Sequence, residues 1–231
     1  MDTDIQEEKV KIGVITIGQS PRNDIMEDIR GILGAKFEII EKGALDSFDY
    51  NEVQNNFYPH PDSTVLVSRM RDGRQVKLAE EKIIPLLQEC IQNLEERHCK
   101  AILMLCTGPF PKFSHDVLLI KPQEMFHNIT QKLSDGNKVG VIVPDKDQVE
   151  MIKYWWNHHG VEIEVQVASP YEEGNNIIKA AEGFRDKDIS LIFMDCMGYS
   201  VKMKQDVHRT SGKPVLLPRT LAARIINELF S

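Results

Sequence analysis

The sequence predicts an α/β protein built as two pseudo-symmetric lobes with mostly parallel sheets and a cleft between them. Short apolar runs rich in β-branched residues alternate with amphipathic stretches, and the two halves of the chain resemble each other. A run such as Val139-Gly-Val-Ile-Val is apolar at every position, as a strand covered on both faces by helices must be. Regular alternation of such runs with helical patterns makes the sheets parallel and the lobes Rossmann-like.

The first strand is expected at 11–17, Lys-Ile-Gly-Val-Ile-Thr-Ile. A helix over 21–33 follows, started by Ser20 as N-cap and Pro21 at the first helical position. Further strands are expected at 37–40, 64–68 and 101–105, with a long helix over 77–97 between the last two. Residues 51–62, with Tyr58-Pro-His-Pro, read as loop. The segment that follows reads as a hairpin turning at Asp72-Gly73. Downstream, helices at 122–133, 147–158, 175–183 and 220–230 alternate with strands at 139–143, 161–167, 191–194 and 214–217.

The internal likeness pairs Lys11-Ile-Gly-Val-Ile with Lys138-Val-Gly-Val-Ile. It also pairs Cys106 with Cys196, each closing a strand pattern and each followed two residues later by glycine. Gly13 and Gly140 are 127 residues apart but the cysteines only 90. The first half therefore carries about 37 extra residues, placed as an inserted hairpin within 44–77. The division falls between 115 and 138, giving 1–115 as the first lobe and 116–231 as the second, with C-terminal elements able to pack back on the first.

Length and an apolar content of 42% over 231 residues support a folded core. A net charge of −7 opposes binding to nucleic acid or to an anionic membrane, since both need clustered Lys and Arg. No apolar run approaches the roughly 20 residues of a membrane span. The acidic start Met-Asp-Thr-Asp does not read as a signal peptide. Four cysteines with no Cys-x-x-Cys spacing suit reduced thiols in the cytoplasm. No metal-ligand cluster, dinucleotide fingerprint or Walker motif is present in the sequence, so no cofactor is expected.

In open parallel sheets, ligands bind where strands end and loops leave for helices. Cys106 and Cys196 fall there, and two thiols facing each other could move a proton from one face of a carbon to the other. A single strand-end cysteine ordinarily just packs, and Cys90 and Cys99 are read that way; the matched context sets the other two apart. The turn Gly18-Gln19-Ser20-Pro21-Arg22 is a candidate anion site, through the free N–H groups of a helix start and the Arg22 guanidinium. Arg69 and Arg71 at the hairpin turn are either solvated charge or a flap over an anionic substrate. Thr107, Gly108, Gly198 and Tyr199 flank the thiols. Asp195, beside Cys196, would raise that thiol's pKa or serve as an acid or base.

Seven segments together resemble the AroM family: Ile12-Gly-Val-Ile-Thr-Ile-Gly-Gln-Ser-Pro-Arg, Gly43-Ala-Leu-Asp, Val67-Ser-Arg-Met-Arg-Asp-Gly, Leu105-Cys-Thr-Gly, Val139-Gly-Val-Ile-Val-Pro, Met194-Asp-Cys-Met-Gly-Tyr and Pro214-Val-Leu-Leu-Pro-Arg. The layout is more distantly similar to the aspartate/glutamate racemase superfamily. That superfamily includes hydantoin racemases, maleate isomerases and arylmalonate decarboxylases, and carries one cysteine per lobe. The resemblance implies pyridoxal-independent chemistry on a small carboxylate-bearing molecule, with Cys106 and Cys196 catalytic, and a homodimer. The superfamily's Gly-Cys-Thr-Glu is here Asp195-Cys-Met-Gly. Three readings follow: two-thiol proton transfer, a single-thiol lyase, isomerase or hydrolase, or a regulatory protein that only binds a small carboxylate.

Overall fold

The computed structural model describes residues 8–231. The chain runs through β1 (Val10–Thr16), α1 (Asn23–Leu33), β2 (Phe37–Gly43), α2 (Tyr50–Phe57), β3 (Val65–Arg69), β4 (Gln75–Ala79), α3 (Glu80–Glu96), β5 (Ala101–Met104), β6 (Leu118–Ile120) and α4 (Pro122–Ser134). It continues through β7 (Val139–Val143), α5 (Val149–His158), β8 (Ile163–Val167), α6 (Asn176–Glu182), β9 (Leu191–Met194), α7 (Val201–Ser211), β10 (Val215–Leu216) and α8 (Pro218–Leu229).

Two four-stranded parallel sheets result, ordered β2-β1-β5-β6 and β8-β7-β9-β10. Strand for strand the orders are the same, with β1, β2, β5 and β6 matching β7, β8, β9 and β10. The matching glycines have a matching reason. A Cβ on Gly13 would strike Leu94 of α3 at 2.8 Å, and one on Gly140 would strike Ile189, just before β9, at 2.7 Å. Each glycine admits a covering side chain against its sheet.

The first sheet takes its fourth strand, β6, from beyond residue 115, so the division expected at 115/116 cuts that sheet. Three residues are too few to stand out from a loop by apolar pattern. The terminal helices then cross between lobes. Helix α8 packs on α1, and α4 packs on α5, with the His127 and Trp156 rings 4.1 Å apart between centroids and tilted by 35°, and Gln131 donating to the His159 carbonyl at 2.5 Å. One apolar cluster runs through both lobes as a consequence, from Ile12 and Ile29 to Trp156, Phe193 and Ala223.

Two helices depart from expectation. Helix α2, 50–57, takes up most of the first half of the 51–62 segment read as loop, and at its N-terminus the Asp49 carboxylate accepts from the Glu52 amide and the Glu52 carboxylate from the Asp49 amide. Helix α7 lies where no helix was expected, because only Val207 and Ser211 of its residues are buried and the apolar period is faint. Helix α1 begins at Asn23 with Arg22 as its N-cap, after a cis Ser20–Pro21 peptide. Ser20 is not the cap: its N–H and hydroxyl both donate to the Asp46 carboxylate, at 2.7 Å each.

The inserted hairpin, β3 and β4, pairs antiparallel from Val65–Ala79 to Arg69–Gln75 and reaches across to the second lobe. Lys77 lies 2.9 Å from Asp145 and 2.6 Å from Asp147. Gln148 donates to the Val65 carbonyl, and Ser169 to the Gln75 side chain. The hairpin is a strap across the mouth of the cleft.

Candidate active site

Cys106 and Cys196 stand two residues past the ends of β5 and β9, the equivalent strands of the two sheets. In each case the sulfur accepts a hydrogen bond at 3.3 Å from the amide of the glycine two residues on, Gly108 or Gly198. The same turn is built twice. Both thiols line one cavity of about 20 Å³, together with Thr107, Gly108 and Asp195. Leu66 and Val67 of the hairpin close it from above; Gln148, Met151 and Trp155 close it from the second lobe. That volume holds about one water with the strap in this position.

Burial pushes both thiols above the usual cysteine range. At Cys106 the Gly108 N–H opposes this, while Cys196 and Asp195 add to it. At Cys196 the Gly198 N–H, the Arg22 guanidinium and Tyr171 all oppose it, against Asp195. The side of Cys196 is therefore better prepared for a thiolate.

Arg22 makes most of this difference and Tyr171, which no local motif announced, adds to it. The Tyr171 hydroxyl lies 4.0 Å from the Cys196 sulfur and accepts from Arg22 Nη2 at 3.2 Å. Burial works against the Arg22 charge, but Tyr171 and the Asp24 carboxylate outweigh it and hold the guanidinium firmly protonated. Arg22 thus reaches the thiol through Tyr171.

The remainder of the Gly18–Arg22 turn is committed within the protein. Gln19 donates to the Leu45 and Phe48 carbonyls and accepts from the Arg71 amide. The amide of Arg22 donates to Glu41, and that of Ser20 to Asp46. A Cβ at Gly18 would collide with Ser68 and the Arg69 carbonyl, so this glycine lets the hairpin cross the turn. Arg69 caps the Gly73 carbonyl and faces Asp24 at 3.8 Å, and Arg71 holds the Ser20 carbonyl and Asp46. With Arg22 they line a separate depression of about 210 Å³ that contains neither thiol. Tyr199 is fully buried with its hydroxyl donating to the Ala168 carbonyl.

Asp195 does line the thiol cavity. Its Oδ2 accepts from Trp156 Nε1 at 3.4 Å and lies 3.7 Å from His127 Nε2. His127, contributed by α4, is fully buried and neither ring nitrogen has another partner. Nothing local in the sequence marks it, since only the crossing of α4 onto α5 brings it near. A larger groove of about 410 Å³ runs along β6, α4 and α8, lined mainly by Leu118, Ile120, Met125 and Leu229. It holds no cysteine and no paired acid and base. Among the described residues no group of His, Cys, Asp and Glu has a metal-binding arrangement, and no helix is long and apolar enough to cross a membrane.

The model of a family described as AroM protein matches residues 12–230. The chain belongs to the AroM family. No curated relative matches this AroM-family chain in sequence. Solved structures match its fold over nearly its whole length. Allantoin racemase from Klebsiella pneumoniae aligns with a TM-score of 0.61 at 13% identity, covering 96% of this chain and 87% of that one. The maleate isomerase Iso from Pseudomonas putida S16 gives 0.65 at 12%, covering 95% and 92%. Glutamate racemase from Aquifex pyrophilus gives 0.57 at 17%, covering 96% and 84%. The AroM-family chain thus has the two-lobed fold of these racemases and isomerases.

Proposed function

We propose that this protein is a cofactor-independent racemase or isomerase that moves a proton at a carbon alpha to a carbonyl of a small carboxylate-bearing molecule. The observation that carries this reading is the pair of thiols, each at the end of an equivalent strand with the same glycine contact, lining one cavity. One cysteine, as thiolate, takes the α-proton; the other, as thiol, gives its proton to the opposite face of the resulting enolate. Each turn leaves one thiolate and one thiol with their roles exchanged, so the reverse reaction uses the same machinery. The Gly108 and Gly198 N–H groups, each donating to its cysteine sulfur, stabilise whichever of the two thiols is the thiolate.

The strap supports this reading because water excluded from the cavity cannot quench the carbanion. Both thiols rest protonated, and the first deprotonation falls to Cys196, beside Tyr171 and Arg22. In solution, Cys106→Ser and Cys196→Ser each abolish deuterium incorporation from D2O into an amino-acid substrate while leaving its binding within about threefold. Exchange that survives both substitutions overturns the mechanism.

One asymmetry favours a second reading. Only Cys196 has Tyr171 and Arg22 behind it, as a single covalent nucleophile would. Mass spectrometry of substrate-treated protein then shows an adduct on Cys196 and none on Cys106. The homodimer and the cytoplasmic setting belong to the same proposal and are read by sedimentation and by cell fractionation.

A further inference from the structure

Two residues that line the thiol cavity, Gln148 and Asp195, each carry a buried oxygen without a donor. Gln148 gives its Nε2 to the Val65 carbonyl at 3.0 Å, which fixes the amide's orientation. Its Oε1 is left buried and without a partner. Asp195 gives its Oδ2 to Trp156 and His127, and its Oδ1 is likewise buried and unpartnered. Gln148 is 8% exposed and Asp195 4%. Both line the cavity that holds Cys106 and Cys196. An acceptor buried without a donor is costly, and native proteins keep few of them. Two such acceptors on residues that line one cavity are what a ligand's donors would satisfy.

We propose that Asp195 and Gln148 select a substrate carrying a nitrogen with N–H groups, an amino or amide nitrogen, on the reacting carbon, and disfavour molecules bearing a second carboxylate there. The assignment of that carbon rests on the proton-transfer reading above. Asp195 is the specificity-determining group. His127, packed against Trp156 and facing Oδ2, is a positioning residue that turns the other oxygen toward the ligand. A carboxylate placed in the same position would meet two acceptor oxygens and no donor.

Matched pairs of probes test this by calorimetry or ligand-observed NMR: alanine against propionate, aspartate against succinate, phenylglycine against phenylacetate, with methylmalonate as the dicarboxylate. The wild-type protein binds the nitrogen-bearing member of at least one pair about ten- to a hundredfold more tightly than its partner. Asp195→Asn cuts that preference to below about threefold and gains affinity for methylmalonate. Gln148→Met, which keeps the volume, weakens the nitrogen-bearing probe alone, and His127→Phe reduces the preference without removing it. Circular dichroism checks that each variant folds. Equal binding within every pair, tighter binding of methylmalonate by the wild type, or failure of every nitrogen-bearing probe to bind overturns the proposal. The same titrations in the Cys106→Ser/Cys196→Ser protein separate the two ideas. A preference that persists while no protein exchanges deuterium sinks the proton-transfer reading alone; exchange into molecules bound without preference sinks this one alone.

Discussion

At the scale of single residues, the electrostatics of the cavity divide its two sides. Tyr171→Phe removes the hydroxyl that links Arg22 to Cys196. The alkylation of Cys196 by iodoacetamide then needs higher pH than in the wild type, while that of Cys106 is unchanged. An unchanged Cys196 profile shows that the 4.0 Å contact carries no charge stabilisation. Glu80 gives a second test. Burial raises its carboxyl to about 7, against a smaller opposing hydrogen bond from Thr64. The folded state therefore binds this proton more readily than the unfolded chain does. Its contribution is fully present below the unfolded value of 4.5 and is lost as pH rises through about 7. Glu80→Gln accordingly stabilises the protein at pH 8 by about 1 kcal/mol, after allowance for solvent screening, and changes nothing at pH 4. Thermal melts at the two pH values read this directly.

At the scale of elements, the β3–β4 strap is tied to the second lobe by polar contacts from Lys77, Val65 and Gln75. Lys77 lies between Asp145 and Asp147, which raise its pKa against burial and together fix the strap's second strand. Replacing Lys77 by Ala costs about 1–2 kcal/mol of closure, because two carboxylates lose their shared partner. Amide hydrogen exchange over 65–79 should then accelerate about five- to thirtyfold, while β1 and β7 stay protected. Equal protection of the strap in both proteins would show that it is not the mobile element. This strap was legible in part. Asp72-Gly73 between apolar alternations signals a hairpin, but which lobe it would cover depends on Lys77, Gln75 and Val65 meeting partners 68 or more residues away. Helix α7 was illegible for the opposite reason, since a mostly solvated helix leaves almost no apolar period to read.

At the scale of the whole molecule, the crossing of α4 and α8 makes the lobes one body. Arg219 of α8 is fully buried. Its Nε donates to the Met197 carbonyl, beside Cys196, and its Nη1 donates to the Asp24 carbonyl and the Asp28 carboxylate of α1. One guanidinium thus ties the second thiol's turn to the first lobe. Arg219→Ala leaves Asp28 with only the Val201 N–H and takes a donor from the Met197 and Asp24 carbonyls, and it destabilises the protein by about 2–4 kcal/mol. Lysine at this position does not restore it, because an ammonium cannot reproduce the planar fork. A single cooperative unfolding transition in urea, shifted as a whole by Arg219→Ala, is the expected result; separate transitions for the two lobes would contradict the shared core.

The sequence by itself determined the α/β class, the parallel strands, the repeat and the two matched cysteines, because each of these is written in local pattern: apolar runs, helical periods, a glycine after each thiol. Tertiary structure alone decided what surrounds the thiols. Arg22 read as a free anion site, yet Asp24, Thr16 and Tyr171 engage it from one side while Glu41 takes its amide. Asp195 read as a misfit beside Cys196, yet His127 and Trp156 arrive from α4 and α5 to hold one of its oxygens and leave the other buried and unpaired. Asp24 and Thr16 are near neighbours of Arg22 in sequence, but Glu41 lies 19 residues from it, Tyr171 149, and Trp156 39 from Asp195. Hydrogen bonding and burial are set by distance in space, which only the packing of the two lobes fixes.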